Sequence, residues 1–580
     1  MLNGGATARV VDHGSLPRMG GGPGTTRGVL FEAAVLGVLA LGLNLVGNGQ
    51  VSLWDRDEPR YAGCTREMRA SGDWIHPTFN GEPRYHKPIL IYWLMLGGTA
   101  LGGDNPFGAR LVSAIAGVGT VLLTWAWGRR VLGARAGRYA AMVLATAPLM
   151  VVESKLATTD ATLTLLVTGC QLAIWKLCQS PNPAPATAAA FWILLALAVL
   201  TKSPAGPALL AASAAASWWW GGPIPSPRRL AWKWGLPLAL AIALPWNIAI
   251  LLRSQGEYFK VAIGYHVIQR ATESLEQHGG FPGYYAVVGL ALFFPWSAFL
   301  PLAVAAAWTK RRKTPAAGFL LGWLLGPLVF LECVRTKLIH YFLPALPAAA
   351  LLVGWMIARL VEDPGCWSLR EGLAGRLAPR VIRAGGWGLA VGLLVASGFL
   401  PGPLRLPLWL LTGLFVLLAR SPTRDFASNR IERGVFRVAG LMAAILATTY
   451  AWLLPAAEPY RISSVVGRKL AAHEKARAAP PVLCTFQSSG VVYSLGHPAP
   501  LVRSAAALEE TVKAHGQVLA PLLPEELDLI RSQTELNIEI EETVQGFNIE
   551  KGRTETVHLS LIRPRISQIA KFPRTPNFHR

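Results

Sequence analysis

The chain has 580 residues, of which 52% are hydrophobic and 15% charged, and it carries a formal net charge of +22. Soluble domains carry about 25% charged residues, so a wholly soluble fold is excluded. The cations sit in short loops between long apolar runs, which reads as membrane orientation and headgroup contact and leaves no nucleic-acid surface to argue for.

Residues 1–26 are Gly-rich and polar and are expected to form a disordered cytoplasmic tail. The first apolar run, Gly28 to Gly47, has the length of a membrane helix and lacks a small-residue cleavage site, so it reads as an uncleaved first span. A polar loop, 48–107, follows. Its inner run at 88–101 is too short to cross and is expected to be interfacial or re-entrant. Further apolar runs lie at 108–127, 139–152, 162–177, 187–200, 205–220, 234–252, 284–308, 316–334, 341–356, 387–400, 406–418 and 438–454. With Gly28–Gly47 they make about thirteen spans, within a membrane domain over 27–454. This count puts every basic loop on the cytoplasmic side, as the positive-inside rule requires. Those loops are Arg129-Arg130 with Arg135 and Arg138, Arg228-Arg229, Lys310–Lys313, Arg370–Arg383 and Arg420–Arg437. From Pro455 the composition is that of a soluble domain. Val482–Phe486 and Thr556–Leu561 read as strands and Ser504–Ala514 as a helix. The fold class is therefore mainly α: a polytopic transmembrane domain of about thirteen helices with a small extracytoplasmic α/β domain over 455–580, in the plasma (inner) membrane. The six cysteines, Cys64, Cys170, Cys178, Cys333, Cys366 and Cys484, show neither CxxC nor metal-ligand spacing, so no disulfide framework or zinc site is expected.

In this topology the loops richest in chemistry, 48–107, 153–161, 253–283 and 335–340, all fall outside. Asp57 and Glu58 follow the first span, where two acids either face a cavity at the membrane surface or simply favour a helix N-terminus. Asp160 opens the run from Thr162, where an acid marks a functional site or caps the helix, and both readings can hold together. Lys87, Lys202, the His266/Arg270 pair and the Arg335–Tyr341 segment with Lys337 and His340 are cationic on the side that disfavours cations. A phosphate at headgroup level would hold them there; snorkelling to lipid is the alternative, weaker for Arg335 and Lys337 than for Lys202.

The motifs Asp57-Glu-Pro-Arg-Tyr61, Arg66-Glu-Met68, Ser71-Gly-Asp-Trp74, Asn80-Gly81 and Tyr85-His-Lys-Pro88 open an ordered series. It continues with Asp160-Ala161, Leu200-Thr-Lys202 with Pro204, Pro245-Trp246, Arg270, Phe294-Pro-Trp296 and Lys337 to Pro344. Over roughly residues 28–355 this series resembles the 4-amino-4-deoxy-L-arabinose lipid A transferases. These stand with the protein O-mannosyltransferases among the GT-C membrane glycosyltransferases. The resemblance implies a thirteen-span fold with a periplasmic C-terminal domain. It also implies transfer of a sugar from a polyprenyl-phosphate donor to a lipid, glycan or protein acceptor on the extracytoplasmic face. Two departures, His86 where the family often has Glu and Ser203 where it has Gly, bear on sugar and acceptor more than on reaction type.

For such a reaction the leaving group is a lipid phosphate, a weak base, so the site must supply positive charge where negative charge develops. Lys87, Arg270 and Lys337 fit that role. Asp57 fits the base for an acceptor hydroxyl, with Glu58 and Asp160 orienting the acceptor or tuning Asp57. Arg60, Tyr61, Tyr85, Lys202, His266, Arg335, His340 and Tyr341 complete the expected substrate contacts. No divalent-metal signature is present, and a metal stays open. Two other readings remain: a protein O-mannosyltransferase, which differs in acceptor alone, and a lipid or solute transporter without chemistry. The acids crowd one face and no inverted repeat is visible, which disfavours the transporter.

Overall fold

The computed structural model describes residues 25–262, 264, 280–362 and 369–565. His266, Arg270 and nearly all of the expected N-terminal tail lie outside the described residues.

Ten helices among the described residues are long and apolar enough to cross a membrane. The chain begins with α1 (Thr26–Leu45), then α2 (Asp57–Ser71) and the short strands β1 (Thr78–Phe79) and β2 (Glu82–Pro83). Next come α3 (Leu90–Gly102), α4 (Pro106–Val131), α5 (Ala134–Ala145), α6 (Pro148–Ser154), α7 (Asp160–Gln179), α8 (Pro185–Lys202), α9 (Ala205–Trp219) and α10 (Trp232–Arg253). The expected interfacial run is α3, thirteen residues long.

Two expected spans are not single helices. The run at 139–152 is α5 and α6, split at Thr146-Ala-Pro148, and the run at 284–308 is Tyr284–Leu292 and Leu300–Lys310, split around Pro295. Proline lacks the N–H that would continue the helix. Backbone freed in this way at membrane depth has to be covered by protein. Here the two breaks cover each other: buried Trp296 donates from Nε1 to Thr146 Oγ1 at 3.0 Å, and Thr146 donates to Met142 O. α9, at fifteen residues, is also shorter than an ordinary span.

The helix spanning Ile339–Glu362 is the axis of the bundle. Of its apolar window 94% is buried, against 22% for α1, for α10 and for the helix Arg376–Phe399, whose outer faces are left to lipid. Small residues allow this packing: a Cβ added to Gly354 would come within 2.5 Å of Ala140 N, so α5 and the axial helix touch through backbone.

The outer loop is built on α2. Asn80 (φ 56°) and Gly81 (φ 77°) form the tight turn between β1 and β2, the left-handed pair that an Asn-Gly hairpin adopts. Glu67 ties this hairpin to α2 by accepting from Thr78 Oγ1 (2.7 Å), Asn80 N (2.6 Å) and Gly81 N (3.2 Å).

The last long helix runs through a π turn at Thr449–Leu453 to Tyr460 and leads into Ile462–Arg477. Beyond it a three-stranded antiparallel sheet has the order β3 (Val518–Leu522), β5 (Arg553–Pro564), β4 (Leu536–Asn548), flanked by helices Ala505–His515 and Pro524–Gln533. β5 alternates as a strand buried on both faces: Val557, Leu559 and Leu561 enter one apolar cluster and Ile562 another. Val482–Phe486 is not a ladder strand. It makes isolated contacts, with Val482 N donating to Leu519 O and Leu483 N to Pro500 O, because the prolines at 480, 481, 498 and 500 remove the donors a regular ladder needs.

This unit grips the outer loop. Arg461 donates to Ser52 O (2.9 Å) and Leu53 O (2.7 Å), and Arg66 donates to Tyr493 O (2.7 Å). Asn80 exchanges two hydrogen bonds with Ala499. Asp55 accepts from Gly490 N at 2.6 Å, and a Cβ on Gly490 would press on that carboxylate at 2.7 Å.

Candidate active site

α7 and α8 form an antiparallel pair, so the first residue of one and the last of the other meet on one face of the bundle. That places Asp160 against Lys202, with Nζ to Oδ1 at 2.7 Å and both side chains nearly buried. The 3₁₀ turn Ile339–Ala345 packs beside them. His340 Nε2 is 4.0 Å from Asp160 Oδ2, and Lys202 Nζ sits 4.8 Å from the Tyr341 ring centroid. Asp160 is therefore the first residue of a helix and a partner in an ion pair.

The pair lines a cavity of about 410 Å³. Lys87, Asp160, Lys202 and Tyr341 reach it, together with His86, Asn247 and Tyr258, which sequence reasoning did not select. One wall is apolar: Leu163, Leu209, Phe259, Phe330 and Leu331. The cavity thus has a charged end at the outer loop and an apolar side within the bundle.

Asp57, at the exposed start of α2, does not line the cavity, although its charge is felt at His340. His340 lies in the fields of Asp160, Lys202, Asp57 and Lys87 together. A further acid belongs to this cluster. Glu153, buried near the end of α6, shares the field of Asp160, Lys202, Glu58 and Asp57. Its signal in the sequence is an acid directly after the apolar run 139–152, which marks function by default; it opens the polar loop that leads to Asp160.

Other expected contacts are occupied within the protein. Glu58 is almost fully buried and accepts four hydrogen bonds. Arg110 Nε (2.8 Å) and Ala157 N (2.6 Å) reach Oε1, and Arg110 Nη2 (2.7 Å) and Trp54 N (2.7 Å) reach Oε2. It has no lone pair to spare for an acceptor; it clamps the first turn of α2 to the loop that leads into Asp160. Lys155 plays a parallel part, donating to the carbonyls of Leu43, Asn44 and Val46 at the end of α1. Burial, then Arg110, lowers its pKa to about 7. Lys337 is buried and bonded to Glu332, with the Tyr285 ring at 5.7 Å, and does not reach the cavity. Arg335 is exposed.

In the outer loop Tyr61 is buried under Arg84, whose guanidinium is 5.7 Å from its ring; burial, then Asp57, pushes the phenol pKa well up. Arg60, one turn from Asp57, is held down by burial and then by Arg84, while Asp57 and Glu550 of the C-terminal unit oppose this. Tyr85 shares a 2.6 Å hydrogen bond with His76 and meets Tyr258 edge-on at 6.0 Å, so it stands behind the cavity wall. Among the described residues no group of three His, Cys, Asp or Glu could hold a metal ion.

Residues 86–248, which contain Lys87, Asp160 and Lys202, match the family described as dolichyl-phosphate-mannose-protein mannosyltransferase. An undecaprenyl phosphate-alpha-4-amino-4-deoxy-L-arabinose arabinosyl transferase of Pseudomonas aeruginosa (strain UCBPP-PA14) is 31% identical over 318 residues, covering 53% of this chain and 56% of that one. One of Edwardsiella ictaluri (strain 93-146) is 32% identical over 347 residues, covering 58% and 60%. The chain thus spans little more than half the length of the curated relatives it matches. The crystal structure of ArnT from Cupriavidus metallidurans bound to undecaprenyl phosphate superposes with a TM-score of 0.73 at 21% identity, over 92% of this chain and 98% of that one. The chain accordingly has this GT-C-type fold and is a multi-pass membrane protein.

Proposed function

We propose that the protein transfers a sugar from a polyprenyl-phosphate donor to an acceptor at the extracytoplasmic face of the plasma membrane. The observation that carries this reading is the buried Asp160–Lys202 pair beside Lys87 at the charged end of a cavity whose other side is apolar. A polyprenyl-phosphate sugar has the matching polarity, an anionic head on an apolar chain. The charge bias of the loops supports the outward orientation, the similarity to arabinosyl transferases named for undecaprenyl phosphate-linked aminoarabinose supports the donor, and the motif resemblance to the lipid A transferases supports a lipid A acceptor.

In this reading Lys87 holds the donor phosphate and stabilises the charge left on it as the anomeric C–O bond breaks; the family resemblance assigns Arg270, outside the described residues, the same task. Lys202 is held by Asp160 and faces the same phosphate, and Tyr341 closes that side. The acceptor oxygen bonds to the anomeric carbon. Where the acceptor is a hydroxyl, its proton passes to Asp57; a phosphate oxygen would need no base. Asp160 orients Lys202, and Glu58 and Lys155 hold the two loops in register. The match over residues 86–248 contains only donor-side residues of this scheme, so it is neutral on the acceptor and does not favour a protein substrate.

The test is transfer by purified protein in lipid from polyprenyl-phosphate-linked sugar to lipid A, read by mass spectrometry. Sugar-bearing product is expected, with a loss of at least about 10²-fold in D57N where the acceptor atom is a hydroxyl. Movement of the donor across the bilayer without product would establish a transporter. Near-normal transfer by D57N would take the base from Asp57, and E153Q would be examined next.

A further inference from the structure

On the face opposite the candidate site, Arg376, Arg380 and Arg383 lie along the helix Leu369–Phe399. Their spacing of four and three residues sets them on one side of it. All three are exposed and all three line a cavity of about 340 Å³, whose other wall is Phe299, Leu360 and Phe426.

A second cavity, about 560 Å³, shares Leu360 and Asn429 with the first and is lined by Arg430 and Arg433. There the charge is answered from within the protein. Buried Asp425 meets Arg430 at 3.7 Å, Arg433 at 3.9 Å and Arg437 at 2.6 Å. No such acid serves the first cavity: among the described residues Arg376, Arg380 and Arg383 make no ion pair. Like charges on one helix face repel, so an unanswered triplet of this kind calls for an anion from outside.

We infer that Arg376, Arg380 and Arg383 bind the headgroup of an anionic phospholipid of the inner leaflet. The depth of the site argues for lipid. The three arginines precede the apolar run 387–400 on the same helix, so the guanidinium groups stand where the hydrocarbon begins. Guanidinium pairs with phosphate in a forked geometry, and the phenylalanine wall offers apolar surface to the glycerol and upper acyl chain. Basic pockets between membrane helices on the cytoplasmic side commonly hold such headgroups.

The experiment is native mass spectrometry of the full chain released from nanodiscs containing phosphatidylglycerol, diphosphatidylglycerol and phosphatidylcholine. Three proteins are compared: the wild type, R376Q/R380Q/R383Q, and R228Q/R312Q/K313Q, which removes the same charge from other exposed positions on that face. The wild type and the control should retain anionic lipid in preference to phosphatidylcholine. The site variant should lose that preference by at least about tenfold. Equal retention in all three, or equal loss in both variants, would reduce the triplet to diffuse attraction and overturn the inference. So would displacement of the lipid by millimolar inorganic phosphate, which would mark a small-anion site. Sugar transfer should be unchanged in the site variant, which separates this outcome from the fate of the proposed reaction.

Discussion

Replacing Glu58 by Gln is the sharpest perturbation of the site's framework. Gln keeps the shape but turns one oxygen into an NH2 group. Each oxygen of Glu58 faces two donors, one from Arg110 and one from backbone, Ala157 N or Trp54 N. Either rotamer of Gln therefore sets a donor against two donors and strips the buried guanidinium of half its anionic partner. Breaking a buried ion pair from one side costs about 3–5 kcal/mol, and leaving a buried donor unpaired costs about 1–3 kcal/mol within that figure. Arg110 also holds the carbonyls of Asn48, Val51 and Ser52, so the loss reaches the whole entry to α2.

The assay is thermal unfolding of purified protein followed by tryptophan fluorescence, alongside sugar transfer per folded molecule. E58Q should lower the unfolding midpoint and transfer together. R110M should do the same, and the double variant should cost about as much as either single, because the pair is lost only once. An E58Q protein of unchanged stability that has lost transfer would refute the framework role and return Glu58 to the chemistry. Strictly additive costs would refute the coupling.

Other outcomes follow from the same geometry. Lys87→Ala should raise the KM for donor by at least about tenfold, the effect of losing one charge-assisted contact, whereas Lys337→Ala should leave it near wild type and lower stability, since Lys337 serves Glu332; equal effects on KM would overturn the division. Asp160→Asn should weaken transfer severely while leaving the helix start intact, because Asp160 is not the cap: Thr159 stands at that position and Asp160 makes no capping hydrogen bond among the described residues; normal donor affinity in this variant would remove Asp160 from the donor site. Asn80→Ala removes two hydrogen bonds to Ala499 and should expose the seam between outer loop and C-terminal unit to proteolysis, at a cost of about 1–3 kcal/mol; an unchanged digestion pattern would show that Arg461 and Arg66 suffice. A membrane-impermeant thiol reagent applied from outside should label S71C and not K313C, both exposed positions; the reverse would turn the whole topology over.

The sequence by itself determined the class of fold, a bundle of many apolar helices. Apolar length and the cost of charge in lipid are local properties, read one run at a time, and the alternation of basic and polar loops followed from them. Local signals also identified the α3 run, the β5 strand and the family resemblance. What only the tertiary structure decided is which charges face each other. Asp160 and Lys202 are 42 residues apart, Glu58 and Arg110 are 52 apart, and Asp55 meets Gly490 across 435. A one-dimensional pattern marks a charge in an unfavourable place and cannot say whether it lines a cavity or is used up inside the frame. So Glu58 and Lys337 read like Asp160 and Lys87 in the sequence, yet the fold turns the first two into struts and leaves the other two on the cavity. Glu153 went the other way: it opens the polar loop 153–161 without standing out there, and only the fold buries it within the field of Asp160. The two broken spans show the same limit: the prolines at 148 and 295 announce the breaks, but only packing sets Thr146 against Trp296 and so makes both breaks tolerable within a membrane.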